Sequence, residues 1–290
     1  MDKDVDALSK FLSEREQRIF RGVIKDPIAL EVLKKLFEDP ENAEKYLILI
    51  KDNIHAIFIA AKLAEGIGRH LNGEDEDKCI NIFIRSLSHL RDFKDKRVEY
   101  DIFEIVKEAI ESRISMKKYE SASKLVNFFQ NLGLRNYVKK LIFHAMEVAD
   151  GGDHARAVRI LNQLPSYDEV LTAKAYILVE WGKKISASNP EAALSKIEEA
   201  LKIRDVPSAK LIKAEIFESL GNYAKAYEIY KTIKDQPEVE KRLARLLMEW
   251  GEEERDIKKL EEARSLVLND AVMLEEIERR IRKLTSPQTK

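Results

Sequence analysis

Alanine occurs at positions 122, 157, 193, 226 and 263, at intervals of 35, 36, 33 and 37 residues. A period near 34 restricts the chain to stacked copies of one small structural unit. A small side chain recurs where two helices cross closely, because a larger one would push them apart. A second small position runs through Ala145, Gly182, Ala214 and Gly251. Both glycines follow tryptophan, in VEWGKK (Val179–Lys184) and MEWGEE (Met248–Glu253), and these are the only two tryptophans. Glycine inside a helix costs about 1 kcal/mol relative to alanine, so its double use calls for a packing reason. Glycine admits the neighbouring helix, and the adjacent indole fills the groove beside it. An exposed aromatic platform for a ligand is the competing reading.

The clearest copy is GNYAKAYEIYKTIKDQP, Gly221–Pro237. Gly221 and Asn222 make a turn, Tyr223, Ala226 and Tyr230 recur at helical spacing, and Pro237 breaks the pattern. In the preceding helix Ala214 and Phe217 share a face. The series Ala214, Phe217, Gly221, Tyr223, Ala226, Tyr230, Pro237 resembles the tetratricopeptide repeat, although Lys210 stands where that family has a tryptophan. A second copy runs through Ala145, Val148, Gly152, His154, Ala157 and Leu161. Further second helices begin at Tyr119, at Pro190 and near Leu260. This register puts both Trp-Gly pairs in first helices, just before the hairpin turns. The resemblance implies an all-α fold, an α-solenoid of antiparallel helix pairs wound as a right-handed superhelix.

The first hundred residues are harder to register. PENA (Pro40–Ala43) and EDKC (Glu76–Cys79) are candidate starts of second helices, but Cys79 to Ala122 is 43 residues, longer than one period. Helical stripes persist, one through Ile80, Phe83, Ile84 and Leu87, another through Ile102, Ile105, Val106, Ala109 and Ile110. The expected organisation is residues 1–100 as divergent helix pairs, 101–284 as repeats, and 285–290 as a disordered tail. About fourteen to sixteen helices are expected, with no strand alternation anywhere.

Charge narrows the function classes. Lys+Arg is 51 and Asp+Glu 52, with 22 basic and 24 acidic side chains in residues 1–118 and 29 and 28 in residues 119–290; this local balance disfavours nucleic acid as a partner. The expected surface is one of interspersed, solvated ion pairs, and this composition resembles that of thermophile proteins. Cys79 is the only cysteine, so neither an intramolecular disulfide nor a cysteine-based metal site is expected. The N-terminus MDKDVDALSK lacks a secretory layout. The most apolar stretch, Ala56–Ala64, is far shorter than the roughly 20 residues that span a bilayer. A cytoplasmic protein with no membrane partner is expected.

Catalytic and metal motifs are absent. The histidines at 55, 70, 89, 144 and 154 form no metal-binding pattern, and His154 is read as packing at a hairpin. Gly66-Ile67-Gly68 lacks the rest of a dinucleotide loop. NGEDEDK (Asn72–Lys78) lacks the spacing of a calcium loop and reads as an acidic helix start. RDFKDKR (Arg91–Arg97) reads as a charged loop, and the C-terminal ERRIRKLTSPQTK offers positive charge to an anionic partner.

No enzyme, cofactor or metal is therefore expected. The expected function is a protein–protein interaction scaffold that binds a peptide or helix of a partner in a concave groove; the alternative is a helical-repeat RNA-binding protein. The resemblance implies that first helices line the groove. Candidate partner contacts in that register are Lys107 and Glu111, Lys139 and Met146, Tyr176 and Lys183, Glu215, Arg245 and Glu252. Lys107, Lys139 and Lys183 are expected to share one concavity and to face an acidic segment. Some family members grip a C-terminal carboxylate with asparagines; here Lys107, Glu111 and Phe143 hold those places, which argues against that activity.

Overall fold

The computed structural model describes residues 7–233 and 237–285. Among them sixteen α-helices can be followed from end to end, and there is no strand. Two compact units divide the chain. One comprises residues up to Glu147 together with Arg159–Pro165, the other Val148–Val158 and the chain from Ser166 onward.

The first unit opens with α1 (Glu14–Val23), α2 (Pro27–Glu38), a 3-10 turn at Pro40–Asn42 and α3 (Ala43–Leu49). Then come α4 (Ile54–Gly68), α5 (Gly73–Arg91), α6 (Lys96–Ser115) and α7 (Tyr119–Phe128), and α8 (Arg135–Asp150) enters from this side. PENA leads through the 3-10 turn at Pro40–Asn42 into the second helix α3, which starts at Ala43. EDKC lies inside the second helix α5, whose start is corrected to Gly73, three residues before Glu76. Pairs α2/α3, α4/α5 and α6/α7 pack internally, and α1 lies on α4. Leu33, Leu36, Ile57, Leu63, Ile82 and Phe83 are fully buried, and Phe83 meets Phe129 edge-on at 6.4 Å.

The second unit contains α9 (His154–Asn162) in part, α10 (Asp168–Ile185), α11 (Pro190–Ile203), α12 (Pro207–Ser219) and α13 (Tyr223–Thr232). It continues with α14 (Pro237–Glu254), α15 (Ile257–Leu266) and α16 (Ala271–Thr285). Pairs α10/α11, α12/α13 and α14/α15 pack internally, and α11 meets α12, α13 meets α14 and α15 meets α16. Thr285 of the expected tail ends α16; the rest of that tail, 286–290, lies outside the described residues.

Local chemistry explains the hairpins. Four first helices end on the same device, a backbone N–H reaching back five residues to a carbonyl: Lys118 to Arg113, Asp153 to Val148, Asn222 to Phe217 and Asp256 to Gly251, at 2.8 to 3.1 Å. The residue before each donor is left-handed: Lys117, Gly152, Gly221 and Arg255, with φ of 57°, 98°, 69° and 54°. This arrangement satisfies carbonyls that the helix end would otherwise orphan. Three of the following helices are then capped by side chains, Asp153 accepting from Arg156, Asn222 from Lys225 and Asp256 from Lys258, whereas α7 follows Lys118 without a side-chain cap. Lysine and arginine at two of these positions leave those two turns without a glycine signal.

The small residues sit at the crossings. All five alanines of the repeat are completely buried, as are Ala109, Ala145 and Ala214. A Cβ on Gly182 would lie 2.7 Å from Ile197 Cδ1, and one on Gly251 would lie 3.0 Å from the Asp256 carbonyl. Both glycines are thus inside helices and pressed against the next one. The two indoles are partly buried, each under a lysine: Lys196 Nζ is 4.6 Å from the Trp181 ring and Lys259 Nζ 4.3 Å from Trp250. His154 is buried and stacks on Trp181 at 6.2 Å.

Candidate functional site

In each unit first helices lie beside first helices. In the first, Lys62 of α4 reaches Glu108 of α6 at 3.2 Å, and Tyr137 of α8 donates to Glu111 of α6 at 2.6 Å. Burial and the Glu111 carboxylate together push the Tyr137 phenol above its ordinary range. In the second, α10 touches α12 and Arg242 of α14 pairs with Glu215 of α12. Arg280 and Lys283 of α16 hold Glu252 of α14 at 2.9 and 2.8 Å. Those two cations, Lys283 first, keep the Glu252 carboxyl below the usual range despite partial desolvation.

These contacts sort the candidate residues. Glu111, Glu215 and Glu252 are engaged by the neighbouring first helix. Lys107 pairs along its own helix with Glu104 at 3.6 Å. Lys139, Met146, Tyr176, Lys183 and Arg245 are exposed. Lys107, Glu111, Lys139 and Met146 belong to the first unit, and Tyr176, Lys183, Glu215, Arg245 and Glu252 to the second. Tyr176 and Lys183 are brought together: they border one hollow of about 430 Å³ with His154, Glu180 and Lys184. The His154 Nδ1 lies 3.1 Å from the Gly152 carbonyl, which can only accept, so Nδ1–H donates to it.

In the first unit a hollow of about 570 Å³ lies between α1, α4 and α6. Its floor is Phe58 with Ile19 and Ile105, and a smaller recess of about 200 Å³, bordered also by Arg15, His55 and Asp101, continues it toward Leu90 and Ile102. Lys62 spans the cleft at 2.8 Å from Glu16 and 3.2 Å from Glu108. Burial works against the charge on both Lys62 and Glu16. Their mutual hydrogen bond, with Ser13 adding to it at Glu16, prevails and holds Lys62 above and Glu16 below the ordinary range.

Beneath α4 lies a feature the sequence reading missed. Arg113 is completely buried and is flanked by Glu65 and Glu76, which are 2% and 4% exposed. Arg113 Nη1 bonds Glu65, its Nε is 3.5 Å from Glu76, and Lys118 reaches Glu76 at the same distance. Burial raises the Glu65 carboxyl against the pull of Arg113. The interspersed surface ion pairs expected from composition are therefore joined by a buried set. Arg113 continues the stripe Ile102, Ile105/Val106, Ala109/Ile110 at helical spacing, and that was the available signal. Cys79 packs beside this cluster, 5% exposed, and burial lifts its thiol to about 11.

Among the described residues no group of three or more His, Cys, Asp or Glu side chains is placed to hold a metal ion, and no helix is long and apolar enough to cross a membrane. No protein-family model matches the chain, and no curated protein matches it either.

Proposed function

We propose that the chain is a tetratricopeptide-like helical solenoid that binds a peptide or helix of another protein on the face of its first helices. The observation that carries this reading is the side-by-side contact of successive first helices, α4 with α6 and α6 with α8 in one unit, α10 with α12, α12 with α14 and α14 with α16 in the other. Within each unit, helix pairs stacked in this way expose a continuous surface. Exposed Lys139, Met146, Tyr176 and Lys183 then offer charge and amphipathic area to a partner. Binding rather than catalysis is the role such a surface supports, and a single reduced thiol fits a cytoplasmic setting.

Affinity capture from a lysate of the source organism, compared between wild type and Lys139→Glu and Lys183→Glu variants, tests this. Exposed substitutions of this kind change stability by only about 0.5 kcal/mol. Loss of a captured protein at an unchanged melting temperature supports the reading. Equal capture by all variants, or retention of RNA with a steep salt dependence, contradicts it.

A further inference from the structure

The cleft between α1, α4 and α6 has an uneven charge pattern. Asp101, Glu104 and Glu108 follow one another at spacings of three and four along α6, so they form one ridge on the cleft's wall. The cations near them are largely committed. Lys62 is shared between two carboxylates, Glu16 and Glu108, and Arg69 turns to Glu65 at 3.7 Å. Glu104 has only Lys107, from its own helix, at 3.6 Å. Arg15, on the α1 side, borders both the cleft and its recess, so the carboxylate ridge and this cation face each other across the floor. Between the acidic ridge and α1 the floor is apolar, formed by Ile19, Phe58 and Ile105, and it deepens into the recess beside Leu90 and Ile102.

An apolar floor with a carboxylate ridge on the α6 wall favours a complementary ligand: an apolar group for the floor and positive charge against that wall. We propose that this cleft receives a segment of a partner protein that carries one large apolar side chain flanked by lysine or arginine. The apolar side chain seats on Phe58, and the flanking cations meet Asp101 and Glu104. Because the cleft opens between first helices α4 and α6, this deepens the binding role proposed above and rests on it.

The test uses the full chain and short synthetic peptides labelled with a fluorophore, with binding read by anisotropy. One peptide has a single phenylalanine flanked by lysines, a second has glutamates in place of the lysines, and a third has serine in place of the phenylalanine. The protein variants are Asp101→Lys/Glu104→Lys and a control with the same change in net charge, Glu238→Lys/Glu261→Lys, at exposed positions elsewhere. Far-UV circular dichroism verifies that both retain the helical fold.

The proposal requires that the lysine–phenylalanine peptide bind wild type and the control alike. It must bind about ten-fold more weakly to the Asp101/Glu104 variant, and the other two peptides about ten-fold more weakly to wild type. Equal loss in the control means non-specific attraction and overturns it. Binding that ignores the Asp101/Glu104 reversal places the site elsewhere; the cleft assignment then falls while partner binding on the first-helix face still stands. Failure of all three peptides to bind overturns the cleft chemistry, and the capture experiment with Lys139→Glu and Lys183→Glu then decides the broader role by itself.

Discussion

Adding one methyl group at Gly182 should destabilise the protein, whereas the same change at Gly22 should stabilise it. Gly182 lies within α10, and a Cβ built there falls 2.7 and 2.9 Å from Ile197 side-chain carbons and 3.2 Å from the Ala193 carbonyl. Ile197 is completely buried, so its side chain has no free space to swing into. Alanine's better helix propensity contributes about 1 kcal/mol in favour of the variant. Overpacking a filled crossing costs about 1–3 kcal/mol, so Gly182→Ala should lose roughly 1 kcal/mol net. At Gly22, near the end of α1, no atom lies within 4 Å of the added carbon. Gly22→Ala should therefore gain up to about 1 kcal/mol. Urea titrations of both variants, followed by circular dichroism and by the fluorescence of neighbouring Trp181, measure the two changes. If Gly182→Ala were as stabilising as Gly22→Ala, the close helix crossing would not explain why glycine follows both tryptophans.

Arg113→Met should cost about 3–5 kcal/mol, because it strands Glu65 and Glu76 without their buried cation. Pairing it with Glu65→Leu should recover much of that loss in the same denaturation assay. Arg255→Gly should stabilise by about 0.5–1 kcal/mol, since Arg255 holds a left-handed φ of 54° that glycine adopts freely. Circular dichroism melts show the sign. Cys79, with its thiol lifted from 9.0 to about 11, should react with a disulfide reagent at neutral pH at least about a hundred-fold more slowly than an ordinary thiol. Its rate should climb steadily toward pH 11 and reach the ordinary value on unfolding.

The repeat was legible where its chemistry is carried by side-chain size. Ala122, Ala157, Ala193, Ala226 and Ala263 mark crossings whose closeness admits little else, and their spacing survives variable turns. The hairpin ends were half legible: Gly152 and Gly221 announce a left-handed residue, whereas Lys117 and Arg255 occupy the same conformation under strain that no pattern displays. The first hundred residues were blurred for a similar reason. α5 begins at Gly73 in a run of carboxylates favoured by the helix dipole, so its start carries no apolar signal. The buried cluster was missed because charge was counted along the chain, where Glu65, Glu76 and Arg113 look like surface residues. Only the helix stripe that Arg113 continues distinguishes it. Among the candidate contacts, sequence register could place a carboxylate on a first helix but could not reveal that Glu111, Glu215 and Glu252 reach the next first helix.

The central claim, that partners dock on the first-helix face, is tested most directly by a photo-crosslinking amino acid placed in turn at Tyr176 on α10 and at Glu228 on α13. Both positions are exposed, one on a first helix and one on a second. After irradiation in a lysate of the source organism, the account predicts a discrete protein adduct from position 176 and none from position 228. Adducts of equal yield from both positions, or an adduct from 228 alone, would contradict it.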